Sequence, residues 1–143
     1  MSENGTLTLS VFGPERMLIR EHPVDWVVLT GAEGEIQVLP GHANMVGMLE
    51  TGVFRYKDRN GTETSGFIST GFFEISGDRV KVMAETLELG REIGVERART
   101  AQRKAEEALQ KGDLDESGFR KYQLKLQRSL IRQQIAAKPH SGD

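Results

Sequence analysis

Thr30-Gly31-Ala32-Glu33-Gly34-Glu35-Ile36-Gln37-Val38-Leu39-Pro40-Gly41-His42-Ala43 is the stretch on which the reading of this chain turns. It follows the run Val24 to Leu29, whose β-branched content reads as a strand. Gly31 and Gly34 bracket one turn, and Pro40-Gly41 makes a second. Between them Glu35-Ile36-Gln37-Val38-Leu39 is a short alternating run. The bland reading is a pair of tight connections whose glycines supply positive φ. The sharper one is a rigid loop pair that presents Glu35 and His42 to a partner. The glycine spacing matches no dinucleotide fingerprint, and no Gly-Lys-Ser/Thr phosphate loop occurs anywhere in the chain.

Outward from this stretch, residues 6 to 89 read as β structure. Thr6 to Phe12 alternates with Leu7, Leu9 and Val11 on one face. Met17-Leu18-Ile19 reads as a second strand ending before Pro23, and Asp25 to Leu29 as a third, with Trp26 as a sheet-packing residue. Downstream lie Met45 to Leu49, Val53 to Lys57, Thr62 to Ser69, Phe72 to Ser76 and Arg79 to Ala84. Asp58-Arg59-Asn60-Gly61 predicts a type I′ hairpin, and Gly77-Asp78 another turn. Many short strands with glycine turns mean a sandwich or a barrel.

After Leu89 the period changes. Val95, Ala98, Ala101, Ala105 and Ala108 recur at helical spacing, and the face is almost all alanine. Such a stripe admits a close helix neighbour but buries little area per residue. Gly112 ends this helix, and the acidic Asp113-Leu114-Asp115-Glu116 opens a second. On the second, Phe119, Tyr122, Leu126 and Leu130 form one stripe, and Leu124, Ile131 and Ile135 another beside it. Pro139 stops the helix, and the tail to Asp143 is expected to be disordered. The chain therefore reads as a β domain, 1–90, followed by an antiparallel helical hairpin, 91–143 including the tail. A two-helix hairpin has little core of its own and must lean on the sandwich or on a partner.

Lys+Arg 19 against Asp+Glu 21 gives a net charge of -2. The distribution says more than the sum. From Ser117 to Lys138 no acid occurs, while Arg120, Lys121, Lys125, Arg128, Arg132 and Lys138 are cationic. A solvated face is the ordinary explanation, and an acidic protein surface is the best-fitting partner. Nucleic acid is disfavoured, because no binding motif is present and aromatics do not interleave with the cations. Zero Cys removes disulfides, thiolate metal sites and cysteine nucleophiles together. Met1 to Gly5 is no secretory signal, and no apolar run approaches the ~20 residues of a membrane span. A soluble protein is expected, meeting a membrane only through a partner. No catalytic constellation is evident: His22, His42 and His140 are scattered, and a Glu35–His42 acid–base pair lacks any oxyanion site around it.

Two motifs carry a resemblance. Gly31-Ala32-Glu33-Gly34-Glu35 with Leu39-Pro40-Gly41-His42-Ala43, and then Ser69-Thr70-Gly71-Phe72-Phe73-Glu74-Ile75, resemble the hallmarks of the ε-subunit family of bacterial F-type ATP synthases, over roughly Leu7 to Lys138. The resemblance implies a β + α protein, a flattened β-sandwich of about ten strands followed by the helical hairpin. It implies no enzyme of its own, but a central-stalk rotor subunit that couples the catalytic head to the c-ring. The partners implied are the γ subunit, the c-ring and the α and β subunits, on the cytoplasmic face of the bacterial inner membrane. Glu33, Glu35, Gly41, His42, Ala43 and Asn44 would meet γ and the c-ring; the family often has proline where Asn44 stands. Arg120, Lys121, Lys125, Arg128 and Arg132 would lodge among the catalytic subunits and inhibit ATP hydrolysis. Some members bind ATP on the folded hairpin. Glu88, Arg97, Arg128 and Arg132 match that set, but Gly94 replaces its aspartate, so no cofactor is expected beyond weak ATP binding at most. The rival reading is a free-standing regulatory β domain whose basic helix binds an acidic protein or RNA.

Overall fold

The computed structural model describes residues 5–137. The readings that involve Met1 to Asn4, the Lys138 charge, the Pro139 stop and the tail lie outside these residues. Nine strands come first: β1 (Leu7–Phe12), β2 (Met17–Gly31), β3 (Gly34–Val38), β4 (Met45–Leu49), β5 (Gly52–Asp58), β6 (Glu63–Ile68), β7 (Gly71–Ser76), β8 (Arg79–Ala84) and β9 (Leu87–Leu89). A single 3-10 turn at Gly90–Glu92 leads into helices α1 (Val95–Lys111) and α2 (Glu116–Ala137). Nine strands among the described residues agree with the expected sandwich of about ten.

The strands run β1-β8-β7-β4-β2-β5-β6-β9, with β3 added against β2. β1 also pairs with β2, so the sheet folds back on itself into a sandwich. Apolar residues alternate inward along β1, β7 and β8, and Phe54, Phe73, Leu7, Leu9 and Leu29 are fully buried between the layers.

Residues 17–31, expected as two strands broken at Pro23, are one strand. Its register with β1 slips between Leu9↔His22 and Val11↔Ile19, so Arg20 and Glu21 bulge outward. Glu21 takes a φ of 43°, and its N–H donates to Ser10 Oγ at 3.0 Å. The bulge lets the first half of β2 serve β1 and the second half serve β3 and β5.

The turn after β5 is also not type I′. Asn60 keeps a negative φ and only Gly61 is left-handed, at 87°. Asp58 Oδ1 accepts the N–H groups of Asn60 and Thr62 instead. An Asx-type turn closed by a glycine therefore replaces the paired left-handed residues. That pair occurs at Gly77 (55°) and Asp78 (64°), between β7 and β8.

The helices form the expected hairpin. Gly112 ends α1 in the left-handed region, at φ 71°. Asp115 Oδ1 then accepts the Gly118 N–H at 2.7 Å and caps α2. Ala98 and Ala105 are buried against α2, whereas Ala101 is exposed. On α2 the two apolar stripes turn inward only in part: Tyr122, Leu126 and Ile131 are half-buried and Ile135 is buried, whereas Phe119, Leu124 and Leu130 are exposed. Ser129 is buried beside them, donating to the Leu126 carbonyl, and Gln133 Nε2 donates to Gln102 Oε1 of α1 at 2.7 Å. Once satisfied internally, these polar groups pack as well as apolar ones.

The hairpin meets the sandwich mainly through the last turns of α2. Ile135 packs with Phe67 of β6 and Ile93 of the linker, flanked by Val53, Ile131 and Ala136. Arg132 seals the contact: its Nε donates to Glu88 Oε1 at 2.6 Å, and its guanidinium lies 4.3 Å from the Phe67 ring centre.

Candidate functional site

The loop residues singled out by sequence are on the surface but not all together. Gly31–Gly34 caps one end of β3, and Leu39–Asn44 leaves the other end, about 13 Å along the strand. Glu35 and His42 are therefore not an acid–base pair. Glu33 and Glu35 are exposed on the first turn, which is pinned by the Ala32 N–H to the Met48 carbonyl at 3.0 Å. A groove of about 260 Å³ runs along β4 beside it, between Ala32, Glu33 and Ile36 on one side and Met45 and Val46 on the other.

The second loop is fastened to the β7–β8 hairpin. The Gly41 N–H donates to Asp78 Oδ1 at 2.7 Å, and the Gly77 N–H to Asn44 Oδ1 at 3.1 Å. Asn44 thus fastens its loop to the β7–β8 turn by a side-chain bond. Gly41, Ala43 and Asn44 are exposed, and His42 is half-buried with its Nδ1 at 2.7 Å from the Ala43 carbonyl.

The cations of α2 divide into two groups. Arg120 pairs with Glu116 at 3.2 Å on an exposed face, and Lys121 lies beside the Tyr122 ring. Lys125, Arg128 and Arg132 turn instead toward α1. There they line a cleft of about 540 Å³ with Arg97, Thr100, Lys104 and Tyr122. The structure thus brings together Arg97, Arg128 and Arg132, with Glu88 held at their edge by its pair with Arg132. Arg128 Nε is buried without a hydrogen-bond partner among the described residues. These cations fit an anionic ligand. Gly94 does not: it stands at the N-cap of α1 and offers no side chain to cap the helix or orient Arg97.

One feature escaped the sequence reading. Met48, Phe72, Met83, Phe12 and Met17 stand opposite one another in register across β4, β7, β8, β1 and β2. Directly opposed residues share a face, so the five form one row on the outside of the sandwich. Met48 is 64%, Phe72 48% and Met17 43% exposed. Met48, Phe72, Met83 and Phe12 also line a groove of about 480 Å³. The next row is Val46, Glu74, Lys81 and Ser10, so polar side chains border the band across β7, β8 and β1, while the exposed Val46 extends it on β4. An exposed apolar band rimmed by polar residues is the mark of a docking surface.

The linker between sandwich and hairpin has its own tie. Glu92 accepts the Leu89 N–H and pairs with Arg16 of the β1–β2 loop at 3.0 Å. Burial alone would raise its pKa, but the Leu89 N–H and the charges of Arg16 and Arg91 outweigh that and hold the carboxyl below its ordinary value. Among the described residues no helix is long and apolar enough to cross a membrane, and no acid and histidine cluster is placed to hold a metal ion.

Residues 6–90 match the family described as "ATP synthase, Delta/Epsilon chain, beta-sandwich domain", and residues 91–137 match "ATP synthase, Delta/Epsilon chain, long alpha-helix domain". An ATP synthase epsilon chain of Geotalea uraniireducens is 41% identical over 132 residues, 92% of this chain and 94% of that one. One of Syntrophomonas wolfei is 37% identical over 134 residues, 94% and 96% of the two chains. Among solved structures, a chain of the Euglena gracilis mitochondrial ATP synthase superposes with a TM-score of 0.79 at 22% identity, over 93% of this chain and 81% of that one. At that identity the likeness speaks for the fold alone.

Proposed function

The chain belongs to the ATP synthase delta/epsilon family, and from that premise we propose how its two parts divide the work of a non-catalytic rotor subunit. The rival reading, a free-standing regulator, gives way to a match that runs nearly end to end with epsilon chains. The subunit is peripheral to the membrane and part of the ATP synthase complex. We place it on the cytoplasmic face of the bacterial inner membrane.

In this reading residues 1–90 are the foot. The Met–Phe row packs on the γ subunit, where soft thioethers and rings adapt to an apolar partner. Glu33, Glu35 and the Gly41–Asn44 loop face the polar loops of the c-ring and the adjoining part of γ. Short strands and the two tied turns keep these contacts rigid, as transmission of torque requires.

Residues 91–143 are the regulator. The observation that carries this is the small seat of the hairpin: one apolar cluster and one ion pair hold an acid-free stretch of helix against the sandwich. Released from that seat, α2 reaches between the α and β subunits, and Arg120, Lys121, Lys125, Arg128 and Arg132 meet their acidic surfaces. ATP hydrolysis then stops because the rotor cannot turn. ATP bound in the interhelix cleft would favour the docked hairpin, but the lack of a side chain at Gly94 leaves that contact weak. The test is reconstitution with the catalytic subunits, measuring hydrolysis with and without residues 90–143. Faster hydrolysis by the truncated form is expected. Equal rates would remove the regulatory role and leave the foot.

A further inference from the structure

Four of the five methionines, Met17, Met45, Met48 and Met83, lie in or beside the exposed apolar band. With no cysteine in the chain, these thioethers are the sulfur it offers to an oxidant. Met48 is 64% exposed and stands at the open end of the row, opposite Phe72. Met17 closes the other end at 43% exposed. Met83 is half-buried and stands between Phe72 and Phe12 in the row.

We propose that this row is an oxidation site: a hydroperoxide converts Met48 first and Met17 next to sulfoxides, and the subunit so modified no longer docks. The proposal rests on the reading of the band as a docking surface. The chemistry is a two-electron transfer. A sulfur lone pair attacks one peroxide oxygen, the O–O bond breaks and an S–O bond forms. The second oxygen leaves, once protonated, as water from hydrogen peroxide or as an alcohol from an alkyl hydroperoxide. Sulfur is oxidised and the peroxide reduced, and a thiol-dependent reductase reverses the step by taking the oxygen back to water.

The consequence follows from the neighbours. A sulfoxide oxygen is a strong acceptor, and the flanking Phe72 and Phe12 rings offer it no donor. Burying it against an apolar partner leaves it desolvated and unpaired, which weakens association about ten- to hundredfold. Oxidation of the unassembled subunit thereby keeps damaged copies out of the rotor, while an assembled copy has the same sulfurs covered.

The experiment uses the full-length chain and ATP synthase stripped of this subunit. Dilute hydrogen peroxide is applied, peptide mass spectrometry orders the methionines, and rebinding is titrated before and after treatment. The expected order is Met48, then Met17 together with the similarly exposed Met45, with Met83 last. Rebinding falls about ten- to hundredfold and is restored by methionine sulfoxide reductase. The Met17→Leu/Met48→Leu double variant, compared with itself before treatment, loses nothing to peroxide. The proposal is overturned if Met48 reacts no faster than Met83, or if protein carrying Met48 sulfoxide rebinds like the untreated chain. Unoxidised Phe72→Ala tests the docking surface separately: undiminished rebinding by that variant removes the surface itself, whatever the sulfur chemistry shows.

Discussion

Truncating Ile135 should unseat the hairpin without unfolding the sandwich. Ile135 is 1% exposed, and its neighbours Phe67 and Ile93 belong to a cluster separate from the main core. Ile135→Ala removes about three methyl or methylene groups at ~0.8 kcal/mol each, or about 2–3 kcal/mol with a partly collapsed cavity. That shifts the docked-to-released equilibrium about 30- to 150-fold. Hydrogen exchange reads it directly. Amides of α2 should exchange faster by that factor, while those of β7 and β8 keep their rates, because their side chains pack in the other cluster. Arg132→Gln should act in the same direction by removing the pair with Glu88 and the contact with Phe67. Equal acceleration in β7 and β8 would refute the argument, since it would mean that the hairpin and sandwich unfold as one body. So would an unchanged α2.

Further outcomes follow from the same geometry. Neutralising Arg120, Lys121, Lys125, Arg128 and Arg132 together should relieve inhibition of ATP hydrolysis at low salt; single changes, worth ~0.2–1 kcal/mol each when exposed, should show little. Glu35→Gln with His42→Ala should weaken coupling of hydrolysis to ion pumping in membranes while leaving hydrolysis by the detached catalytic head intact; normal pumping would rule out the c-ring contact. Isothermal titration with ATP should give weak binding or none for this chain and tighter binding for Gly94→Asp, and tight wild-type binding abolished by Arg128→Ala would reverse that conclusion. The folded-state pKa of Glu92 is lowered, so its tie to Arg16 stabilises the linker above the ordinary glutamate range and is lost as pH falls through the folded value. An Arg16→Gln variant should therefore lose its stability difference from wild type in acid, as urea midpoints at several pH values would show.

What could be read from the chain was mostly local. Turns at Gly77-Asp78 and Gly112, the acidic start of α2 and the change of period after Leu89 each declare themselves within a few residues. Features set by distant partners did not. The continuity of β2 past Pro23 depends on a bulge that Ser10 holds from another strand. The Met–Phe row joins positions 12, 17, 48, 72 and 83, which become neighbours only once the strand order is known. The buried face of α2 was legible only in part, at Ile131 and Ile135, because Ser129 and Gln133 also lie in it and hydrophobic periodicity does not register polar groups whose bonds close internally. Of the cleft residues, Arg97 and the pair Arg128 and Arg132 were recognisable by motif, but Thr100, Lys104 and Lys125 join the cleft only through the crossing of the helices.

The stripe residues left exposed bear on how release can be driven. Once a partner has captured the helix its backbone hydrogen bonds are the same as in the docked form, so they do not set the balance between the two. The seat does, and it consists of Ile135, Ile93 and Phe67 with the Arg132 pair. Moving such an equilibrium from 1:99 to 99:1 takes about 5.5 kcal/mol of preferential binding. Phe119, Leu124 and Leu130 are 46%, 40% and 46% exposed in the docked form. Burying what remains of each contributes about 1 kcal/mol, or about 3 kcal/mol for the three. Exposed cations such as Arg120 and Lys121 add ~0.2–1 kcal/mol each. Neither set reaches the requirement alone, but the two approach it together, and cations freed from the interhelix cleft can supply the rest. A partner that captures this helix must therefore offer an apolar groove beside its carboxylates, and charge neutralisation should lift inhibition only in part unless Phe119 and Leu130 are changed as well.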